Sequence, residues 1–304
     1  MSAIVKVDGV SKKYQKILAI NNLSFSVQKG EIFGIVGPDG SGKTTLIKLL
    51  AGIIKPTSGR IFIMGFDLTN DYTRIKPFIG YLSQNFSHYL DLTVEENLEF
   101  FAEIHKVRHY RRRMELLLEF ANLKNFRKTL ISNLSGGMKQ KLALISSLIY
   151  DPDILLLDEP TTGVDPVSRR EFWFLLNSLV LDGKTIIFTT PYLDEAERFN
   201  RVMMLENGNI LVCDSPGKIV SDFDFLVLEI ICSELNRARD ILQNFGEVQV
   251  FGDRLNLIFK GDPTNYQVKI IETLKRNDIE VFNYELVRPT LENVFFYLLK
   301  KKQQ

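Results

Sequence analysis

Two short segments of the sequence combine residues that could hold phosphate groups beside a magnesium ion. The first follows the pattern G-x-x-x-x-G-K-[ST] and lies between an apolar strand pattern and a helical pattern, which is the context that this motif requires. Glycines allow successive backbone N–H groups to point at phosphate oxygens, and the helix that follows presents the positive end of its dipole. The predicted phosphate-binding residues are Gly37, Pro38, Asp39, Gly40, Ser41, Gly42, Lys43, Thr44 and Thr45.

Two side chains at the end of this segment have defined roles in such a loop. Lys43 places a point charge beside the β- and γ-phosphates, and Thr44 offers a hydroxyl ligand to Mg²⁺. The motif therefore predicts binding of ATP together with Mg²⁺.

The second segment, residues 154–159, is an apolar run that ends in two carboxylates. Asp158 is predicted to hold the Mg²⁺ through water, and Glu159 is predicted to orient or deprotonate the attacking water. Two acids can also simply end a strand at the surface, but a phosphate loop needs partners of this kind. Together the two segments predict a P-loop ATPase in which Lys43 and Glu159 are catalytic.

The hydrophobic pattern predicts the elements that position these segments. Short strands are expected over about residues 4–65, and apolar positions three and four apart predict helices over about 90–150. Two buried strands enclose a helix between about residues 154 and 189, which indicates a parallel α/β core. From about residue 225 the order strand, helix, strand, strand, helix, strand predicts a small ferredoxin-like α+β domain, followed by an amphipathic helix.

A chain of 304 residues exceeds a typical single domain, so a large and a small domain are expected. We expect an ATPase domain over residues 1–220, with a helical subdomain at about 85–150. The accessory α+β domain then covers residues 221–304.

The charge balance and the cysteines narrow the class of protein. Lys and Arg number 38 against 37 Asp and Glu, so no nucleic-acid partner is expected, since such binders are usually strongly basic. Cys213 and Cys232 form no disulfide framework and are compatible with a reducing cytoplasm. The apolar runs fall short of the roughly 18 residues that span a bilayer, so membrane association is expected only through a partner.

Residues 134–140, Leu-Ser-Gly-Gly-Met-Lys-Gln, resemble the signature of the ATP-binding cassette (ABC) family and lie between the two segments, as they do in that family. The resemblance implies an α/β cassette with a mixed core, an antiparallel β subdomain and a helical insert. It also implies two cassettes that enclose two ATP molecules head to tail. Ser135, Gly136 and Gly137 of one cassette would close over the γ-phosphate held by the other.

Three more positions match the family in chain order, and the resemblance covers roughly residues 4 to 215. It implies that Tyr14 stacks on adenine. It implies that Gln84 contacts Mg²⁺, contributes to catalysis and links the ATP site to a transmembrane permease. The loop at residues 163–165 resembles the segment through which two cassettes sense each other.

Residues 161–166, 192–197 and 288–295 resemble the branch of the family associated with export of drugs or polysaccharides. The resemblance implies an ATP-hydrolysing subunit that powers export through a separate permease. Such a subunit lies in the cytoplasm, peripheral on the inner face of the plasma membrane.

Two positions depart from the family pattern. Pro191 occupies the place of a histidine that reaches the γ-phosphate, and proline has neither a side-chain donor nor a backbone N–H. Asp39 stands where asparagine is usual and adds a negative charge near the phosphates. Hydrolysis could proceed on Glu159 alone, more slowly, or the chain could pair with a different cassette that supplies a competent site. We favour the heteromeric pairing over a homodimer.

Two alternative functions remain open from the sequence. One is a module that uses ATP only to dimerise, which Pro191 supports and Glu159 opposes. The other is an ABC ATPase without a transport role, acting on ribosomes or DNA. It is disfavoured because the chain has a single cassette and lacks a long coiled-coil insertion.

Overall fold

The computed structural model describes residues 3–260 and 263–303 of the chain. The chain forms two compact units, Met1–Cys213 and Asp214–Gln304. The division therefore lies slightly before the boundary after residue 220 that the sequence analysis proposed. Within the described residues, no helix combines the length and the apolar character needed to cross a membrane.

The first unit contains strands and helices in alternation. In chain order they are β1 (Ala3–Tyr14), β2 (Ile17–Gln28), β3 (Ile32–Val36), α1 (Lys43–Leu50), β4 (Ser58–Ile63), β5 (Phe66–Asp67), α2 (Tyr72–Ile75), β6 (Ile79–Leu82), α3 (Val94–Ile104), α4 (Tyr110–Phe120), α5 (Gly136–Leu148), β7 (Ile154–Asp158), α6 (Pro166–Leu181), β8 (Thr185–Thr190), α7 (Leu193–Ala196), β9 (Arg201–Glu206) and β10 (Asn209–Asp214).

The central sheet has six strands in the order β10-β9-β3-β8-β7-β6. β3 pairs in parallel with β8 and β9, and β7 pairs in parallel with β6 and β8. Every residue of β3, β7 and β8 is buried, which explains why these strands read as continuous apolar runs. The predicted parallel core is confirmed, and the carboxyl ends of its strands meet at one edge, where ligands of open α/β sheets bind.

A second sheet, β2-β1-β4-β5, is antiparallel. Apolar residues alternate along β1, with Val5 and Val7 directed into the core that this sheet shares with α1. This sheet corresponds to the antiparallel β subdomain that the family resemblance implies.

The predicted helical region contains α3, α4 and α5. Thr93 is the N-cap residue of α3, and its side chain and backbone exchange hydrogen bonds with Glu96 in a capping box. Arg127 pairs with Glu95 on α3 and lies 2.8 Å from Glu115 on α4, so a single guanidinium joins the two helices.

The second unit continues with eight elements. They are α8 (Pro216–Ser221), β11 (Leu226–Cys232), α9 (Leu235–Leu242), β12 (Glu247–Phe251), β13 (Arg254–Phe259), α10 (Pro263–Arg276), β14 (Val281–Val287) and α11 (Leu291–Gln303), of which the first is a short lead-in helix. The sheet order is β12-β13-β11-β14, and the three pairs are antiparallel. This arrangement confirms the predicted ferredoxin-like βαββαβ unit and its final helix.

Candidate nucleotide-binding site

The glycine-rich loop connects β3 to α1 at the carboxyl edge of the central sheet. Gly42 caps α1 with φ at +108°, and a Cβ placed there would lie 2.7 Å from the Ala19 carbonyl oxygen. A Cβ at Gly37 would lie 2.2 Å from the Leu205 carbonyl oxygen. Only glycine fits at either position. Ser41 is buried between them, and its Oγ has no hydrogen-bond partner among the described residues.

Lys43 is the first residue of α1 and is 3% exposed. Its Nζ donates to the carbonyl oxygens of Gly37 and Pro38 at 2.8 and 3.0 Å. It also forms an ion pair with Glu159 Oε1 at 3.1 Å, whereas the exposed Asp39 carboxylate lies farther away at 3.9 Å. The loop thus holds its cation at the centre of the predicted phosphate cradle.

Asp158 ends β7 directly beside the loop. Its Oδ1 accepts hydrogen bonds from Thr44 Oγ1 at 3.2 Å and from Thr189 Oγ1 at 2.9 Å. Its Oδ2 is buried and has no hydrogen-bond partner within the part of the chain that the structure describes. Burial raises the pKa of Asp158 above its ordinary value, and the two hydroxyl contacts oppose that rise.

An unpartnered carboxylate oxygen next to a threonine hydroxyl is a donor set that suits Mg²⁺. This ion prefers oxygen ligands and commonly takes only one or two of them from the protein. The residues present therefore fit the cation that the sequence predicted.

Glu159 follows the end of β7 and is 5% exposed. Its φ of +50° is the left-handed region, which is unusual for a residue other than glycine and is characteristic of functional positions. Its N–H donates to Thr189 Oγ1 at 3.0 Å. Its Oε2 accepts from Gln84 Nε2 at 3.1 Å, so the two carboxylate oxygens are held by Lys43 on one side and Gln84 on the other.

Lys43, Thr44, Gln84 and Glu159 open onto a cleft of about 460 Å³, whereas Asp158 does not line it. The predicted residues that line it are Asp39, Gly40, Gly42, Lys43, Thr44, Thr45, Gln84 and Glu159. The lining residues that the sequence analysis missed are Ile17, Leu18, Ala19 and Asn207.

Ile17 and Leu18 are 71% and 46% exposed, and they offer an apolar wall to the cleft. Their apolar character at the start of a strand was the available signal. Tyr14 lies across the same hairpin, pairing with Ile17, and is 43% exposed with Lys12 Nζ 5.1 Å from its ring centroid. Because Tyr14 is absent from the cleft lining, stacking on adenine stays a prediction.

The signature residues lie at the start of α5 and do not line the cleft of their own chain. Ser135 caps the helix, and its Oγ accepts from the Met138 N–H at 3.3 Å. A Cβ at Gly137 would lie 2.3 Å from the Ser168 side chain, whereas Gly136 faces open space. This placement fits residues that act on a site outside their own cassette.

Comparison with known proteins agrees with this geometry. A family model described as ABC transporter matches residues 20–162. Nod factor export ATP-binding protein I from Ralstonia nicotianae is 34% identical over 307 residues, which covers 99% of this chain and 95% of that protein. The chain belongs to the ABC transporter family. The family resemblance seen in the sequence is therefore confirmed.

Other ABC proteins match over different lengths. Daunorubicin resistance ATP-binding protein DrrA3 from Streptomyces coeruleorubidus is 32% identical, covering 97% of this chain and 95% of that protein. The probable multidrug ABC transporter ATP-binding protein YbhF from Escherichia coli is 39% identical over 218 residues, or 71% of this chain. The chain spans 38% of the length of YbhF.

Solved ABC structures show the same fold as the first unit. A dimeric ATP-binding cassette in a post-hydrolysis state, bound to ADP and Pi, aligns with a TM-score of 0.63 and 31% identity. The alignment covers 69% of this chain and 98% of that cassette. As an ABC cassette, the chain is an ATPase that binds nucleotide.

Proposed function

We propose that this chain is the ATP-hydrolysing subunit of an exporter and that it powers a transmembrane permease formed by a separate chain. The relatives named for multidrug transport, Nod factor export and daunorubicin resistance support this assignment. The observation that carries it is the meeting of Lys43, Glu159 and Gln84 in one cleft. Attachment to the permease places the chain in the cytoplasm at the inner face of the plasma membrane.

Nucleotide binding is assigned to the phosphate loop within an ATPase domain of residues 1–220. Loop N–H groups and Lys43 bind the phosphates, and Tyr14 stacks on the base beside the apolar wall. Thr44, Asp158 and Gln84 are the residues that would hold Mg²⁺. When bound, this ion neutralises charge on the triphosphate.

Hydrolysis is assigned to Glu159. Its carboxylate is oriented from two sides, because Lys43 contacts Oε1 and Gln84 contacts Oε2. Phosphate oxygens compete with Glu159 for the Lys43 ammonium, and their arrival frees Oε1 to accept a hydrogen bond from the attacking water. Gln84 meanwhile keeps the carboxylate aimed into the cleft.

A second cassette completes the site. Ser135, Gly136 and Gly137 act on the γ-phosphate held by the partner cassette, in agreement with their absence from the cleft of their own chain. Pro191 leaves this chain without a histidine at the end of β8, which favours a partner cassette of a different sequence. Residues 221–304 form an accessory domain in this assembly.

The test compares the full chain with Glu159→Gln, and with Glu119→Gln as the matched control. Glu119 is 68% exposed and lies on α4, away from the cleft lining. We expect Glu159→Gln to keep Mg-ATP binding and to lose about 100-fold in turnover, while Glu119→Gln changes neither. A wild-type chain that dimerises on ATP without hydrolysing it would support the dimerisation module instead. A tagged chain that co-purifies with ribosomes or DNA, and not with a membrane protein, would support the non-transport alternative.

A further inference from the structure

Glu195 lies in α7, behind the end of β8, and its side chain is completely buried. A buried carboxylate is stable only when donors surround it. Two hydroxyl groups donate to Oε2, from Thr161 at 3.1 Å and from Thr190 at 2.6 Å. Two nitrogens donate to Oε1, Arg169 Nε at 2.7 Å and Trp173 Nε1 at 3.1 Å. All four donors are side chains.

These donors come from two segments that flank the candidate site. Thr161 lies just after Glu159, in the loop that leads to α6, while Arg169 and Trp173 belong to α6 itself. Thr190 is the last residue of β8 and immediately precedes Pro191. One carboxylate therefore fastens the loop that follows Glu159 to the end of the neighbouring strand.

The backbone of Glu159 needs such support because it is strained. Its φ of +50° costs about 1 kcal/mol or more for a non-glycine residue, and such a conformation persists only when the surroundings over-determine it. The N–H of Glu159 is fixed by Thr189, and the chain beyond it is fixed through the Thr161 hydroxyl. Glu195 supplies the second of these two anchors.

We propose that Glu195 is a positioning residue for ATP hydrolysis: it holds the loop after Glu159 against the end of β8 and thereby aims the Glu159 carboxylate into the cleft. The inference rests on the proposed role of Glu159 in activating water. Glu195 itself does not line the cleft.

Nucleotide binding depends on other residues. Lys43 and Thr44 take their contacts from Gly37, Pro38, Glu159 and Asp158, and Glu195 contributes none of them. Loss of the Glu195 carboxylate therefore acts on turnover and leaves nucleotide affinity intact. Destabilisation of the whole unit would lower the affinity, the turnover and the melting temperature together.

The first experiment uses the full chain with Glu195→Gln. The amide keeps the shape of the side chain, but its NH₂ must face either the two hydroxyls or the Arg169 and Trp173 donors. We expect kcat to fall by about 10- to 100-fold, the scale of a small misplacement of a catalytic group. The Kd for Mg-ATP, measured in the Glu159→Gln background to prevent turnover, should stay within about twofold.

The matched control is Asp194→Asn. Asp194 is the adjacent acid, 70% exposed, and it contacts the same Arg169 at 3.1 Å. The Asp194→Asn variant should keep the wild-type kcat and the wild-type Kd for Mg-ATP. Equal losses in Asp194→Asn and Glu195→Gln would overturn the proposal, because they would assign the effect to Arg169 and not to the buried carboxylate.

A double variant separates positioning from folding. Removing one partner of a buried ion pair destabilises a protein, and removing both restores part of that stability. In Arg169→Gln with Glu195→Gln we expect the melting temperature to recover and kcat to stay low. Recovery of kcat together with stability would overturn the positioning role.

The wild-type chain in the same assay separates the two proposals. If Glu159→Gln abolishes hydrolysis and Glu195→Gln leaves it unchanged, the positioning role alone is overturned. If Glu159→Gln hydrolyses ATP at the wild-type rate, the proposed function is overturned and this inference with it.

Discussion

Lys43 and Glu159 form an ion pair at 3.1 Å in which both side chains are almost completely buried, at 3% and 5% exposure. Lys43, which is proposed to bind phosphate, and Glu159, which is proposed to activate water, therefore bind each other in this structure. In the proposed mechanism, phosphate binding exchanges one anion for another at the Lys43 ammonium. The proposed exchange couples arrival of the phosphates to release of the Glu159 carboxylate.

Lys43→Met should remove nucleotide binding and also destabilise the fold. It leaves the buried Glu159 carboxylate without its cation, which costs about 3 kcal/mol or more. The free energy of unfolding in urea measures this loss. The double variant Lys43→Met with Glu159→Gln should regain much of the stability and none of the ATPase activity. Equal stability of Lys43→Met and wild type would contradict the coupling.

Pro191→His should raise the steady-state ATPase rate of the purified chain. A histidine at the end of β8 would restore the γ-phosphate contact that the family resemblance assigns there, and a positioned side chain of this kind contributes at least about 100-fold in favourable cases. A low wild-type rate that rises at least about tenfold agrees with a partner cassette of different sequence. A robust wild-type rate that histidine does not improve would favour a homodimer.

Substitution of Gly136 and of Gly137 by alanine should distinguish a role in helix packing from a role in contacting nucleotide. Gly137→Ala places a Cβ 2.3 Å from Ser168, so α5 and α6 must shift, and we expect a loss of about 1–3 kcal/mol in stability. Gly136→Ala meets nothing within 4 Å and serves as the matched control with near wild-type unfolding. Thermal unfolding of both variants provides the measurement. A fall in ATP-driven dimerisation for Gly136→Ala without loss of stability would identify contact with the partner's nucleotide.

His88 should make the stability of the fold depend on pH. Burial lowers the pKa of His88 from 6.5 to about 4, and its ring is stacked 4.6 Å from Phe86 and tilted 4.8 Å from Phe101. Ser146 Oγ donates to the Leu142 carbonyl and therefore accepts from His88 Nε2–H, so a second proton would create a buried donor at Nδ1 without a partner.

The sign of the pH effect follows from proton binding. Between pH 6.5 and about 4 the unfolded chain binds a proton at His88 that the folded chain does not, so stability falls as the pH falls through this window. The loss is roughly 3 kcal/mol when complete. Urea unfolding of wild type and His88→Phe at several pH values measures it. If the free energy of unfolding depends on pH equally in wild type and His88→Phe, the effect belongs to other groups.

The phosphate loop could be predicted because most of its determinants are local. Gly42 is needed by the backbone path itself, because its φ is +108°, and Lys43 follows within the same motif. The close approach of the Leu205 carbonyl to Gly37, in contrast, is not visible in the motif. Thr189 could not be predicted in this way. It bonds to Asp158 across 31 positions of chain, and only the pairing of β7 with β8 brings the two together.

The apolar wall of Ile17 and Leu18 could not be predicted from local sequence either, and the same holds for the four donors around Glu195. Ile17 and Leu18 resemble ordinary strand residues until the β1–β2 hairpin is placed beside the loop. The donors to Glu195 come from one loop, one helix and one strand end, and no spacing in the sequence indicates that they converge. In the second unit, local patterns were enough to predict the six elements, whereas their order in the sheet depends on contacts distant in the chain.

One backbone oxygen lies close to two glycines of different segments. The Ala19 carbonyl would lie 2.7 Å from a Cβ at Gly42 in the phosphate loop and 2.6 Å from a Cβ at Gly208 in the turn between β9 and β10. The hairpin that bears the apolar wall therefore approaches both glycines so closely that no side chain fits at either position. If the proposed site is right, its base-facing and phosphate-facing parts are already assembled before ATP arrives, and little binding energy is consumed in bringing them together.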